Sequence, residues 1–193
     1  MNIRIPEIPA RVSALVERAE RDCRDAFRRV DEIERANTRR AIRGFQENRV
    51  SERHFAPTTG YGYGDIGRDT LSKLFSFVFE TEDALVRPQI ASGTHALALC
   101  LTGMLRPGQR MLSATGKPYD TLESVIGIGG AGAGQGSLAE YGIGYGQVEL
   151  LPGGRIDCEG VLAALSEEVK LVAIQRSRGY DLRPSLSVAQ IGE

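Results

Sequence analysis

The chain has 193 residues, with 24 Lys+Arg against 25 Asp+Glu and a formal net charge of -1. That length suits one ordinary domain, or one domain with an arm, and can bury roughly 70% of its unfolded surface without staples. Near-neutral charge leaves no electrostatic footprint for nucleic acid or an anionic membrane surface. The only histidines are His54 and His95, and Cys23, Cys100 and Cys158 show no CxxC spacing, so no Cys/His metal pattern is present. The three cysteines read as reduced, mostly buried thiols. No apolar run reaches the ~18 residues of a spanning helix, and MNIRIPEIPARV lacks the apolar core of a signal peptide. The expectation is a soluble, cytoplasmic, globular protein.

Residues 8 to about 48 read as one helix. Ile8, Val12, Leu15, Val16, Ala19, Cys23, Phe27, Val30 and Ile33 recur at spacings of three and four, with Arg and Glu between them. The charged face reads as solvent-facing, and the apolar stripe is a candidate for packing between subunits. Between Val50 and Asp69 the period breaks, because Pro57, Gly60, Gly62, Gly64 and Gly67 interrupt regular structure. A helix follows, carrying Leu71, Leu74, Phe75, Val78 and Phe79 on one face.

From there the pattern alternates. Strands are expected at 84–91, 111–114, 145–151 and 170–177, with helices after Ser92-Gly93-Thr94, over 118–127 and over 161–169. Strand and helix in alternation make a parallel or mixed sheet covered by helices, an α/β fold. RPSLSVAQIGE opens like a further helix with Ser185 or Ser187 as N-cap, so the chain reads as the front part of a longer protein. Glycine numbers 23, about 12% against a usual ~7%, and nine of them fall between Gly127 and Gly146. GIGGAG (127–132) matches G-x-G-x-x-G but follows a helix instead of a strand, so a dinucleotide fingerprint is rejected. The glycines at 134 and 136 suggest a lid.

Strand–Ser92-Gly93-Thr94–helix is the sharpest local element. Gly93 admits a ligand to the backbone, the helix offers unpaired N–H groups, and two hydroxyls add donors, which suits a phosphate monoester. A plain N-cap is the bland alternative. Tyr119 follows a predicted strand end, where a ring could stack on a planar ligand or simply rest in water. Tyr61, Tyr63 and Arg68 cluster in the glycine-interrupted loop as binding surface or as loop packing. Arg176, Arg178 and Arg183 gather after the last strand, where they could receive a carboxylate or phosphate or pair with surface acids. His95, inside the helix after Ser92-Gly93-Thr94, reads as a satisfied buried polar group instead of a catalyst.

TTGYGYGDIGRDTL (58–71), EDALVRPQIASGTHALALCLTGMLRPG (82–108), TGKPYDTLESVIGI (115–128) and KLVAIQRSRGYDLRPSL (170–186) resemble the methionine gamma-lyase-like family. Its members are also described as cystathionine beta-lyase-like proteins involved in aluminium resistance. The resemblance covers nearly the whole chain. It implies a pyridoxal-phosphate (PLP) enzyme of the aspartate-aminotransferase fold type. Residues 1–50 would be an N-terminal helical arm and 51–70 a Gly/Tyr-rich loop. Residues 71–193 would then be the N-terminal part of the PLP-binding α/β large domain, itself incomplete. By the same resemblance Ser92, Gly93 and Thr94 would hold the cofactor phosphate and Tyr119 would stack on the pyridine ring. Tyr61, Tyr63 and Arg68 would reach the phosphate of a neighbouring subunit, which makes a homo-oligomer. Gly64 stands where the family carries an acidic residue.

The chemistry also needs a Schiff-base lysine and a carboxylate on the pyridine nitrogen. In the family both follow the QRSRGY segment, and none of Lys73, Lys117 and Lys170 matches the lysine's position. Two function readings follow. One is a carbon–sulfur lyase acting on a small sulfur amino acid such as cystathionine or methionine. The other is a non-catalytic fragment, or a phosphate- or PLP-binding module, without turnover.

Overall fold

A computed structural model describes residues 7–128 and 136–193. The chain divides into two compact units, Met1–Pro88 and Gln89–Glu193. In the first, helix α1 (Ala10–Glu47) runs for 38 residues and helix α2 covers Ile66–Phe79. Only Gly44 of α1 is buried. Its missing side chain lets α1 and α2 close up: a Cβ there would stand 3.2 Å from Phe77 and 3.3 Å from Val78. Leu74 and Ser72 of α2 are buried in the same unit.

The second unit holds helix α3 (Gly93–Met104), strand β1 (Arg110–Ser113), helix α4 (Asp120–Ile126), strand β2 (Gly144–Gln147), helix α5 (Cys158–Ala164), strand β3 (Val169–Ala173) and helix α6 (Val188–Gly192). The three strands form one parallel sheet in the order β2-β1-β3. Parallel neighbours need crossovers, and α4 and α5 supply them. Central β1 is buried along Met111, Leu112 and Ser113, as a strand paired on both edges should be. Leu101, Leu105, Met111, Leu122, Ile126, Leu138 and Ile143 make the core.

The α/β expectation holds, with three differences. No strand forms at 84–91. Pro88 removes a ladder donor in the middle of that run. Arg87 meanwhile donates from Nη1 to Ser72 Oγ at 2.9 Å and to the Val86 carbonyl at 2.7 Å, so the segment is fastened to α2. Beyond it, the Ala91 N–H goes to His95 Nδ1 at 3.2 Å and not to a neighbouring strand. Secondly, α5 starts three residues early because Asp157 caps it, accepting from Gly160 N at 2.9 Å. Thirdly, all three cysteines are exposed. Cys23 lies on the uncovered face of α1, Cys100 on α3 at an open apolar cavity beside Leu97, Met104 and Leu171, and Cys158 in the first turn of α5, so none is closed over; His95 is exposed too, not buried as expected. Of the two cap candidates near the end, Ser187 is the one used, closing a capping box with Gln190. Gly134 of the expected lid, and GIGGAG after its first two residues, lie outside the described residues; Gly136 is described, with φ +85. Among those described, no helix is long and apolar enough to cross a membrane.

Candidate functional site

Ser92 ends the irregular approach and caps α3, its Oγ accepting from His95 N at 3.1 Å. Gly93 and Thr94 are the first two helical residues, so their N–H groups have no partner within the helix. A Cβ built on Gly93 meets no atom within 4 Å. The position before Thr94 is therefore open to whatever approaches the backbone. Thr94 Oγ1 lies 3.0 Å from Thr121 Oγ1, which sets the start of α3 beside the start of α4. Two helix N-termini side by side concentrate partial positive charge where two hydroxyls already converge.

Tyr119 immediately precedes α4 and is held by the end of β3. Its N–H donates to Gln175 Oε1 at 2.8 Å, while Gln175 N donates to Thr115 Oγ1 at 3.0 Å. One glutamine thus ties the loops that leave β1 and β3 at their carboxyl ends, the edge at which parallel sheets bind ligands. The ring of Tyr119 stacks on Tyr180, with centroids 5.6 Å apart and planes 26° from parallel. Gly179 permits the approach, since a Cβ there would lie 3.0 Å from the Tyr119 ring. The neighbouring Tyr180 hydroxyl holds the Tyr119 phenol above its ordinary value. Sequence reasoning missed Gln175, Thr121 and Tyr180. Their position just past a strand end or helix start was the available signal.

The arginine cluster divides. Arg183 is only 13% exposed and binds carbonyls of its own loop, donating to Ser177 O at 2.8 Å and Pro184 O at 3.1 Å. Arg176 donates to Leu186 O at 3.1 Å. Both sets of bonds hold the segment after β3. Arg178 lines a cavity of about 370 Å³ together with Lys117, Glu149, Asp181 and Arg183. Lys117 Nζ pairs with Glu123 at 2.8 Å.

In the first unit, Tyr61 and Tyr63 are fully out in solvent. Arg68 is not: it donates to the carbonyls of Gly60 at 3.2 Å and Gly62 at 2.7 Å and pairs with Asp69 at 2.9 Å. Its guanidinium is the internal strut of the loop that presents the two tyrosines. Asp65 completes that loop, capping α2 by accepting from Arg68 N at 2.9 Å and also accepting from the Thr58 hydroxyl. These bonds, that from the Arg68 N–H first, hold the Asp65 carboxyl below its ordinary value of 3.8. A depressed carboxylate contributes order above its usual range and loses that contribution as pH falls through the lowered folded value. The Arg68 amide resonance is therefore expected to stay constant from pH 7 to about 5 and to shift only in the acid range below an ordinary aspartate. Asp65→Asn should abolish that step in an NMR titration, and a midpoint at or above the ordinary value would refute the assignment.

The model of the family described as methionine gamma-lyase matches residues 12–193. The chain belongs to the methionine gamma-lyase family. Protein YnbB of Bacillus subtilis strain 168 is 47% identical over 174 residues, covering 90% of this chain and 41% of that protein. A solved carbon-sulfur lyase involved in aluminum resistance, from Clostridium novyi NT, is 46% identical with a TM-score of 0.87, covering 95% of this chain and 44% of that one. A Listeria monocytogenes structure assigned as a cystathionine beta-lyase involved in aluminum resistance is 47% identical with a TM-score of 0.86, covering 93% and 44%. This methionine gamma-lyase family chain thus spans less than half the length of each of these relatives.

Proposed function

We propose that this chain carries the cofactor-phosphate cradle and ring-stacking wall of a PLP-dependent carbon–sulfur lyase, built on the front part of an aminotransferase-type large domain. The observation that carries the reading is the open, donor-rich start of α3. Unpaired N–H groups, the hydroxyls of Ser92 and Thr94 and the open space at Gly93 meet there. A phosphate monoester fits that donor set, and the Tyr119–Tyr180 pair supports the stacking role, because a planar ring already rests against Tyr119. When bound, PLP supplies an electron sink for the charge left at the α-carbon of a sulfur amino acid such as cystathionine or methionine, from which a thiol, ammonia and a 2-oxo acid would be released. The protein's part is to hold the phosphate at α3 and to fix the ring against Tyr119 through Gln175.

The second reading, binding without turnover, is favoured by the lysines. Lys73, Lys117 and Lys170 are all exposed, and Lys117 is engaged by Glu123. An amine that sits on a carboxylate must leave that partner before it can attack a carbonyl. Titration with PLP, competition by inorganic phosphate, and borohydride reduction followed by peptide mapping test both. Saturable binding that phosphate displaces, without a stoichiometrically labelled lysine, is the expected result. No binding would sink the cradle. Labelling confined to Lys117 would sink the second reading, and Lys117 would then be the residue that joins the cofactor.

A further inference from the structure

The side chain that follows Ser92-Gly93-Thr94 behaves differently from its counterparts elsewhere in the chain. Ser51, before the 3₁₀ turn Glu52–Phe55, and Ser187, before α6, are each closed by a capping box. In such a box the side chain three residues on takes the N–H of the cap itself. Ser51 N donates to His54 Nδ1 at 3.0 Å, and Ser187 N to Gln190 Oε1 at 2.9 Å. At α3 the same position is His95, whose Nδ1 accepts instead from Ala91 N, one residue earlier, at 3.2 Å. Among the described residues, no group takes the Ser92 N–H. We propose that His95 is a positioning residue of the phosphate cradle: its ring holds the N–H just outside the cradle, so that the Ser92 N–H stays free for the ligand. This role depends on α3 being the cradle, as proposed above, and accounts for how its donors stay available.

Ala91 lies in no strand, so a side chain takes the place of the ladder partner that would otherwise hold its N–H. The backbone of His95 acts on the cradle as well, donating to Ser92 Oγ at 3.1 Å. A hydroxyl that accepts from His95 N keeps its own proton for another acceptor, and a phosphate oxygen is one. Had the ring taken the Ser92 N–H, as His54 and Gln190 do at their caps, the cradle would have lost a donor. With Ala91 taken instead, the N–H groups of Ser92, Gly93 and Thr94 all remain for an anion. An accepting Nδ1 also fixes the tautomer, placing the proton of the neutral ring on Nε2.

Phosphate titration of the whole chain, followed by amide and imidazole nitrogen NMR, tests this role in the parent, His95→Leu and His95→Asn. Asparagine carries Oδ1 as many bonds from the backbone as histidine carries Nδ1, whereas leucine has a methyl there. The expected parent has Nδ1 bare and Nε2 protonated. Its Ser92 amide shifts as phosphate is added, and its Ala91 amide exchanges slowly with or without phosphate. His95→Leu should speed Ala91 exchange and weaken phosphate and PLP binding by about fivefold, the worth of one net hydrogen bond. His95→Asn should bring the affinity back to within about twofold of the parent, because it restores that bond. An Nδ1–H tautomer, a phosphate response at Ala91 in place of Ser92, or full affinity in His95→Leu overturns the role of His95 and leaves the cradle standing. Equal losses in His95→Leu and His95→Asn overturn it too, since the ring would then act by shape and not by accepting. A parent that binds neither phosphate nor PLP removes the cradle itself, and the role of His95 with it.

Discussion

Gly127→Ala is expected to destabilise the C-terminal unit by about 2–5 kcal/mol, from ~1–2 for the left-handed backbone and ~1–3 for overpacking. Gly127 ends α4 with φ +90, its N–H returning to Glu123 O at 2.8 Å. A Cβ added there would stand 2.7 Å from Ser137 Oγ and 2.8 Å from Ala139 Cβ. Neither neighbour can yield cheaply. Ser137 is 2% exposed, Leu138 N donates to Val125 O at 2.9 Å, and Ala139 N to Ile126 O at 3.0 Å. Moving 137–139 would drag Leu138 out of the core it shares with Ile126. Urea unfolding followed by tyrosine fluorescence, the chain having no tryptophan, measures the loss. A midpoint unchanged from the parent would show that this packing is not what holds the turn.

Gly93→Ala should do the reverse, sparing the fold and weakening ligand binding. No atom lies within 4 Å of the position a Cβ would take, and Gly93 is the first residue of α3, where Ala is a better helix former by up to ~1 kcal/mol. The new methyl would occupy the space through which a phosphate reaches the N–H groups. Loss of a charged hydrogen-bonding arrangement worth ~1.5–3 kcal/mol corresponds to a weakening of PLP or phosphate binding by roughly 10- to 100-fold. Isothermal titration on a variant whose unfolding midpoint matches the parent reads this directly. Ser92→Ala is less clean, because it also removes the N-cap at a cost of about 1 kcal/mol. Full affinity in Gly93→Ala would mean that the start of α3 is an ordinary cap and nothing more.

These two glycines mark the limit of what could be read in advance. The capped start of α3 at Ser92-Gly93-Thr94 was legible, without the strand expected before it, because Ser at an N-cap answers a local need of the helix start. Gly127 was read as the last residue of a helix, the first glycine of GIGGAG and part of a glycine excess. Its actual constraint comes from Ser137 and Ala139, ten and twelve residues on, and distance in space is not written in composition. The strand expected at 84–91 failed for the same reason. Its apolar residues suit a strand and Pro88 already withheld a donor in the sequence, but that Arg87 finds Ser72 depends on what lies alongside.

The arginines teach the same lesson in chemistry. Arg68, Arg176 and Arg183 were read as candidates for an anion, and each donates at least one bond to a carbonyl of its own loop. Unpaired backbone oxygens in a folded loop attract the nearest fork of donors, and only the fold fixes which arginine that is.

By itself, the sequence determined the helical arm, the alternation of strand and helix, the capped start of α3 and the resemblance that the family match bears out. Those rest on period, on cap chemistry and on long local motifs, which act over a few residues. The tertiary structure alone decided that Gln175 carries Tyr119, that Tyr180 stacks on it, that Thr94 meets Thr121 and that the cysteines face water. Each of those pairs residues or surfaces far apart along the chain, and such contacts exist only once the sheet has set its order β2-β1-β3.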